Sequence, residues 1–162
     1  MICYVNIDAL IFKFWIFMLR KKIYIASDHA GFMLKEKICT FLKEKQIPFD
    51  DLGTNDPTSC DYPDYAHLLA SKIDEQSFGI LICGSGIGIS IAANRHKNIR
   101  CALCNESLSA KLARKHNDAN VLAFGGRLIG IDAAIDMIEN FIQTPFDQGR
   151  HVKRIQKIEV DC

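Results

Sequence analysis

The sequence has almost no excess of either charge. Its 20 lysines and arginines are balanced by 19 aspartates and glutamates, which leaves a formal net charge of +1. A chain this neutral has no long-range field that would attract nucleic acid or an anionic membrane surface. Neither partner is therefore predicted, and any recognition of a phosphate group must be local.

The sequence also lacks internal repeats, low-complexity segments and proline-rich linkers, and its 162 residues suit one domain. An apolar run long enough to cross a membrane is missing too. Residues 1–18 are apolar, but a membrane helix needs about 20 residues with few charges, and this shorter run contains Asp8 and Lys13. We interpret residues 1–18 as an extension from an upstream translation start, with a membrane anchor as the alternative, and residues 19–162 as the functional domain.

No disulfide framework or zinc site is indicated. The seven cysteines are odd in number and lie in apolar segments, as free thiols do in a reducing cytoplasm. Cys101 and Cys104 form a CxxC motif, but in a predicted strand their side chains point to opposite faces. A second ligand pair is missing, so no metal or cofactor is predicted, and the protein is expected to be cytoplasmic.

Short apolar segments alternate with helical periodicity from residue 22 onward. The predicted strands are 22–27, 47–53, 79–83, 99–104 and 121–126, and the predicted helices are 32–45, 65–75, 89–95, 107–116, 131–143 and 149–159. This alternation predicts the α/β class, with a single three-layer α/β/α, Rossmann-like domain, a five-stranded parallel sheet and a C-terminal helix. Ligands bind such folds at the carboxyl ends of the strands, where Asp28, His29, Cys83 and residues 125–127 fall.

The segment FGILICGSGIGIS contains a glycine loop directly after the third predicted strand. Ile89 stands where a dinucleotide fingerprint needs its third glycine, so that motif fails in register. The loop amides, at a helix N-terminus, can instead bind an anion or a developing oxyanion. The alternative is a tight strand-to-helix turn with no contact to a ligand.

Cys83 precedes this loop, and its position at a helix N-terminus favours the thiolate form. A thiolate beside an oxyanion-binding loop can attack a carbonyl group or remove a proton next to one. The alternative is a small core residue, since cysteine is among the most buried residue types.

Weaker signals occur elsewhere. Asp28 could simply cap the first helix, and His116 could complement the dipole at the end of its helix. Arg150 and Arg154 are four residues apart on one helical face, where they could clamp a phosphate or remain solvated surface.

Together these segments resemble one family, the type B ribose-5-phosphate isomerases, which include related allose and galactose 6-phosphate isomerases. The resemblance covers about residues 22–160 and is carried by SDHAGFMLK, DYPDYA, GILICGSGIGISIAANR, RKHNDANVLAFGGR and GRHVKRI. It implies the interconversion of ribose 5-phosphate and ribulose 5-phosphate through a cis-enediolate, in the non-oxidative pentose phosphate pathway. The alternatives are an isomerase of a six-carbon sugar phosphate and a non-catalytic sugar-phosphate-binding protein, and a nucleotide-binding module is more distant still.

The resemblance assigns three residues to catalysis. Cys83 would be the base that moves a proton between C2 and C1, and His116 would assist opening of the sugar ring. The Ser85 hydroxyl and the loop amides would stabilise the enediolate, the loop residues being Gly84, Gly86, Ile87 and Gly88. Some family members carry a carboxylate base elsewhere in the loop, but residues 87–90 contain no acid here.

The resemblance assigns the remaining residues to substrate binding. Asp28 and Asn117 would contact the sugar. The wall that largely binds the phosphate would consist of His29, Arg127, Arg150 and Arg154. Family sites take His116 and some arginines from a neighbouring subunit, which implies a homodimer or homotetramer with shared active sites and no cofactor.

Overall fold

Residues 21–159 are described in the structure, a computed structural model of the protein. The apolar extension predicted for residues 1–18 lies outside the described residues. Five strands form one parallel sheet in the order β2-β1-β3-β5-β4. They are β1 (Lys22–Ser27), β2 (Phe49–Asp51), β3 (Ser77–Cys83), β4 (Cys101–Leu103) and β5 (Val121–Gly125).

In the described part of the chain, six helices connect and cover the strands. They are α1 (Phe32–Glu44), α2 (Tyr62–Ala70), α3 (Ile87–Ala93), α4 (Ser107–Asn117), α5 (Ile131–Gln143) and α6 (Arg150–Ile155). Buried side chains of α1, α4 and α5 pack against one face of the sheet, and those of α2 and α3 pack against the other. This confirms the predicted three-layer α/β/α, Rossmann-like architecture.

The central strand β3 is buried at every residue, because both of its faces are covered. Ile80 and Ile82 belong to the core under α1, α4 and α5, whereas Leu81 and Cys83 belong to the core under α2 and α3. Successive side chains of a strand point to opposite faces, so the Cys83 thiol lies on the α2 and α3 side of the sheet.

Three predicted helices differ from the observed ones by two or more residues at an end. The helix predicted at 89–95 is α3, which runs from Ile87 to Ala93. The helix predicted at 65–75 is α2, which begins at Tyr62 because Pro63 suits the first turn of a helix, and it ends at Ala70. The C-terminal helix predicted at 149–159 is shorter, since α6 ends at Ile155. Beyond it the backbone forms tighter turns, in which Lys157 N–H donates to the Arg154 carbonyl and Ile158 N–H to the Ile155 carbonyl.

A buried ion pair joins α1 to the end of β2. The Lys35 side chain is fully buried, and its ammonium group donates to Asp51 and, at 2.8 Å, to Glu36. Burial lowers the pKa of Lys35, but the hydrogen bonds to the two carboxylates outweigh it and raise the pKa above its ordinary value. Lys35 therefore stays charged inside the protein, and its stability contribution depends on those partners.

We expect Asp51→Asn to lower the free energy of unfolding by about 2–3 kcal/mol, because it removes one of the two charges that compensate a buried ammonium group. Asp50→Asn is the matched control. Asp50 pairs with Lys22 at 2.6 Å, but both side chains are more than two-fifths exposed, so little change is expected. Urea denaturation of both variants checks this, and equal stability of the two would contradict it.

Candidate active site at the carboxyl ends of the strands

Three neighbouring strands end side by side at the carboxyl edge of the sheet. The register of β1 and β3 pairs Ser27 with Ile82, which brings Asp28 next to Cys83, and Asp28 N–H donates to the Ile82 carbonyl at 3.1 Å. On the other side of β3, Cys83 pairs with Gly125. The backbone of Cys83 is therefore held between β1 and β5.

The Cys83 thiol lies inside the turn that follows β3. Its side chain is nearly fully buried, with 4% exposed. Gly86 N–H donates to the sulfur at 3.1 Å, so a backbone dipole points at the atom that would carry a negative charge. The Cys83 side chain therefore belongs to the core on one side, and on the other side its sulfur contacts the glycine loop.

The loop from Gly84 to Gly88 leaves several amides without an acceptor. The N–H groups of Ser85 and Gly88 donate to no acceptor within residues 21–159, whereas Ile87 N–H donates to Ser85 Oγ at 3.3 Å. Because Ser85 Oγ accepts this bond, its hydroxyl proton remains available to a ligand. Preorganised donors of this kind are what an oxyanion requires.

Of the three loop glycines, two lie where a Cβ atom would clash with a neighbouring residue. Gly86 has φ +79°, and a Cβ there would lie 2.7 Å from the carbonyl carbon of Phe124. At Gly88 a Cβ would lie 2.6 Å from the Tyr62 ring. Gly84 has no such constraint, since its nearest neighbours, Ala30 and Arg127, would be 3.6 Å away. The tight-turn alternative therefore accounts for Gly86 and Gly88 but not for Gly84.

Asp28 and His29 lie in the turn between β1 and α1. Asp28 is buried, and its Oδ1 accepts from Ala30 N–H at 2.9 Å and Gly31 N–H at 3.0 Å. The carboxylate closes this turn rather than capping α1 itself, whose N-cap residue is Gly31. His29 Nδ1 accepts from Cys60 N–H at 3.2 Å, so in the neutral ring Nε2 carries the proton and is the donor.

Arg127 lies on the other side of the glycine loop, just after β5. Its backbone N–H donates to the Gly84 carbonyl at 3.2 Å, and its exposed side chain runs beside Gly84. We call this set the carboxyl-edge group, and its members are Asp28, His29, residues 83–88 and Arg127.

The other predicted site residues lie elsewhere. His116 and Asn117 are at the C-terminal end of α4, and Arg150 and Arg154 are on α6. These four side chains, with His151, line a pocket of about 350 Å³. We call His116, Asn117, Arg150 and Arg154 the amino-edge group.

The two groups lie at opposite edges of the sheet. A helix that follows a parallel strand runs back toward the amino ends of the strands, so the end of α4 is near the start of β3. Accordingly, Gly79 N–H at this end of β3 donates to the carbonyl of Asn120, three residues after Asn117. The strand between Gly79 and Cys83 spans about 13 Å, so one chain does not bring His116 to Cys83.

His151 was missed by the sequence reasoning, although it lies between Arg150 and Val152 in a motif that was singled out. Its ring stacks on the His116 ring, with 4.6 Å between centroids and 8° between planes. Desolvation lowers the pKa of His151, and His116 and the two arginines lower it further. The sequence of this short helix near the C-terminus did not indicate that His151 would be buried.

Within residues 21–159, no three His, Cys, Asp or Glu side chains converge to ligate a metal ion. In the same part of the chain, no helix has the length and apolar character needed to cross a membrane.

Comparison with known proteins gives a consistent result. Residues 23–158 match the family model described as Ribose/Galactose Isomerase. The chain is 44% identical to ribose-5-phosphate isomerase B of Escherichia coli over 140 residues, which is 85% of this chain and 94% of that protein. The crystal structure of a ribose 5-phosphate isomerase from Thermotoga maritima is similar with a TM-score of 0.83 and 53% identity, covering 85% of this chain and 97% of that one.

A third relative has a ligand. The structure of ribose-5-phosphate isomerase B from Mycoplasma genitalium, which contains bound ribulose-5-phosphate, is 42% identical with a TM-score of 0.81. The similarity covers 85% of this chain and 93% of that one.

We expect Gly86→Ala to lower the free energy of unfolding by at least about 2 kcal/mol, because alanine resists a left-handed backbone and its Cβ would collide with Phe124. Gly84→Ala is the matched control, and its stability should be unchanged or slightly raised. Urea denaturation measures both. Equal losses in the two variants would mean that Gly86 does not determine the shape of the loop.

Proposed function

The chain belongs to the ribose/galactose isomerase family, and on this basis we propose that it interconverts ribose 5-phosphate and ribulose 5-phosphate. Such an isomerisation needs one base that can both accept and return a proton, and donors that stabilise a transient oxyanion. The observation that carries the proposal is the position of Cys83, which is adjacent to Asp28 across the sheet and begins a glycine loop whose Ser85 and Gly88 amides have no acceptor within residues 21–159.

Cys83 is proposed as the base. As a thiolate it removes the proton from C2 of the open-chain aldose, which leaves an enediolate across C1 and C2. The amides of Ser85 and Gly88 donate to the enediolate oxygens, and the Ser85 hydroxyl is assigned to pass the hydroxyl proton from O2 to O1. Cys83 then returns its proton to C1, and the C2 carbonyl forms.

Substrate binding is assigned to the polar side chains around this centre. Asp28 contacts sugar hydroxyls with a carboxylate that the turn holds in place. His29, with its Nε2 proton, and Arg127 form the part of the phosphate-binding wall that this subunit supplies. Arg150 and Arg154 form the remainder, Asn117 contacts the sugar, and His116 assists opening of the furanose ring.

These assignments require a second copy of the chain, because the two groups lie at opposite edges of the sheet. A twofold axis perpendicular to the strands reverses the strand direction in the partner. It therefore places the amino-edge group of the partner beside the carboxyl-edge group of this subunit. We propose a homodimer with two active sites, each built from both subunits, which a homotetramer would also contain.

An exposed apolar surface supports this assembly. It surrounds the edge strand β4 and consists of Ile87, Ile91, Leu103, Leu108 and Leu112. Ile91 is 57% exposed and Leu108 is 60% exposed. Exposed apolar patches and uncovered edge strands mark interaction surfaces. Ile87 is also the first residue after the loop glycine Gly86, so the surface continues into the proposed site.

We expect Cys83→Ser to reduce the turnover of ribose 5-phosphate by about 10³-fold or more, because a hydroxyl group is a far weaker base than a thiolate. Binding of the substrate should be kept. Formation of ribulose 5-phosphate measures turnover, and isothermal calorimetry measures binding. A fully active variant would contradict the role of Cys83, although not the assignment to the family.

Cys39→Ser is the matched control for this experiment. Cys39 lies on α1 outside the proposed site, and burial together with Asp51 raises its pKa to about 12. This thiol is protonated at neutral pH, so its replacement should leave turnover unchanged. If the parent protein is inactive on ribose 5-phosphate but active on allose 6-phosphate, the six-carbon alternative is correct. Binding without turnover of either sugar would favour the non-catalytic alternative.

We expect a heterodimer of Cys83→Ala and His116→Ala subunits to recover about half of the parent activity, because one of its two shared sites is intact. Each variant alone should be strongly impaired. Coexpression with two affinity tags allows the heterodimer to be purified and assayed.

A heterodimer of Cys83→Ala and Asp28→Ala subunits is the control, since both changes affect the carboxyl-edge group. It should stay inactive, because neither of its sites is intact. Absence of recovery in the first pair would mean that the sites are not shared in this way.

A further inference from the structure

The short helix α6 carries both arginines of the amino-edge group. It has six residues, and His151 is the one that is buried. Helices this short are unstable on their own in water. The positions of Arg150 and Arg154 therefore depend on how α6 is attached to the rest of the protein.

The attachment runs to the end of α4. In the segment before α6, Asp147 N–H donates to the Lys115 carbonyl at 3.0 Å, and the two side chains form an ion pair at 3.5 Å. Within α6, His151 lays its ring flat on His116. The residue that fixes α6 thus also contacts the residue assigned to ring opening.

The surroundings of His151 favour its neutral form. The titratable and charged groups that face it are His116, Arg150, Arg154 and Asp147. Burial is the largest influence and lowers the pKa of His151, the first three groups lower it further, and Asp147 opposes them. A neutral ring can stack on His116 whether His116 is neutral or protonated, since its face attracts a cation.

We propose that His151 is a positioning residue for the ring-opening step: its stacked ring fixes the plane of the His116 imidazole, and thereby the direction of the His116 nitrogens toward the sugar. In that step the bond between C1 and the ring oxygen breaks. The C1 hydroxyl loses a proton as the C1 carbonyl forms, and the ring oxygen gains one. His116 can transfer these protons only if its nitrogens point at both oxygens. This inference rests on the proposed function.

The test compares two apolar substitutions, of which only one has a planar ring. His151→Phe keeps a planar ring, whereas His151→Leu is apolar without one. At saturating ribose 5-phosphate, we expect His151→Leu to lose about tenfold or more in turnover, because small misplacements of a catalytic group are costly. His151→Phe should stay within about threefold of the parent. Lys153→Ala, an exposed change on the same helix, should have no effect.

A second readout separates ring opening from proton transfer at Cys83. Ribulose 5-phosphate is open-chain, so exchange of its C1 proton with deuterium from solvent needs the enediolate but no ring step. The saturated exchange rate should therefore be the same in His151→Leu as in the parent, while turnover of ribose 5-phosphate falls. Equal turnover in the Leu and Phe variants, whether high or low, would overturn the proposal. So would a parallel loss of exchange.

The ring orientation can also be measured without activity. In the parent protein the His116 ring protons should be shifted upfield by the stacked ring in NMR spectra, and the shift should persist in His151→Phe and vanish in His151→Leu. An unshifted His116 signal in the parent would overturn the proposal. Lack of turnover by the parent would instead contradict the proposed function and leave the NMR comparison as the test of the stack.

Discussion

The pairing of β3 with β1 on one side and β5 on the other determines the geometry of the proposed site. Parallel register places the ends of the three strands at one edge, so Asp28, Cys83 and Gly125 become neighbours although they are far apart in sequence. Gly126 N–H donates to the Cys83 carbonyl at 2.8 Å, which continues the pairing past the end of β5. The buried centre of the sheet thus holds the backbone of Cys83 in place, and only the loop beyond it is open to a ligand.

The same constraint is the reason why we propose that the site is shared between two subunits. Each helix that follows a strand returns to the opposite edge of the sheet, so its C-terminal residues lie far from the C-terminal ends of the strands in the same chain. His116 and Asn117 lie at the C-terminal end of a helix, whereas Cys83 lies at the C-terminal end of a strand. The apolar surface around β4 offers a physical reason for association, since it would otherwise expose large side chains such as Ile91 and Leu108 to water. Assembly and catalysis would then depend on the same contacts.

Much of this arrangement could be predicted from the sequence. Within residues 21–159, alternating periodicity identified the five strands and the six helices, and residues that follow strands identified the carboxyl-edge group. Strand order could not be predicted, because nothing local says that β5 lies between β3 and β4. The burial of VLAFG against the more exposed CAL agrees with a central and an edge position, but only the folded sheet decides it. The stack of His151 on His116 could not be predicted from the sequence either, because it depends on how α6 packs against α4.

The thiols of this chain illustrate how the surroundings decide the role of one residue type. Cys39 and Cys101 have a raised pKa because burial disfavours the thiolate, and Asp51 adds to the effect at Cys39. Cys83 is more buried than either of them. A backbone N–H points at its sulfur, and the loop beyond it has amides without an acceptor within residues 21–159. Position at the open end of a central strand, rather than exposure, therefore distinguishes the proposed base from the structural thiols. A search for reactive cysteines by exposure alone would pass over Cys83 and select Cys39, Cys60 or Cys101 instead.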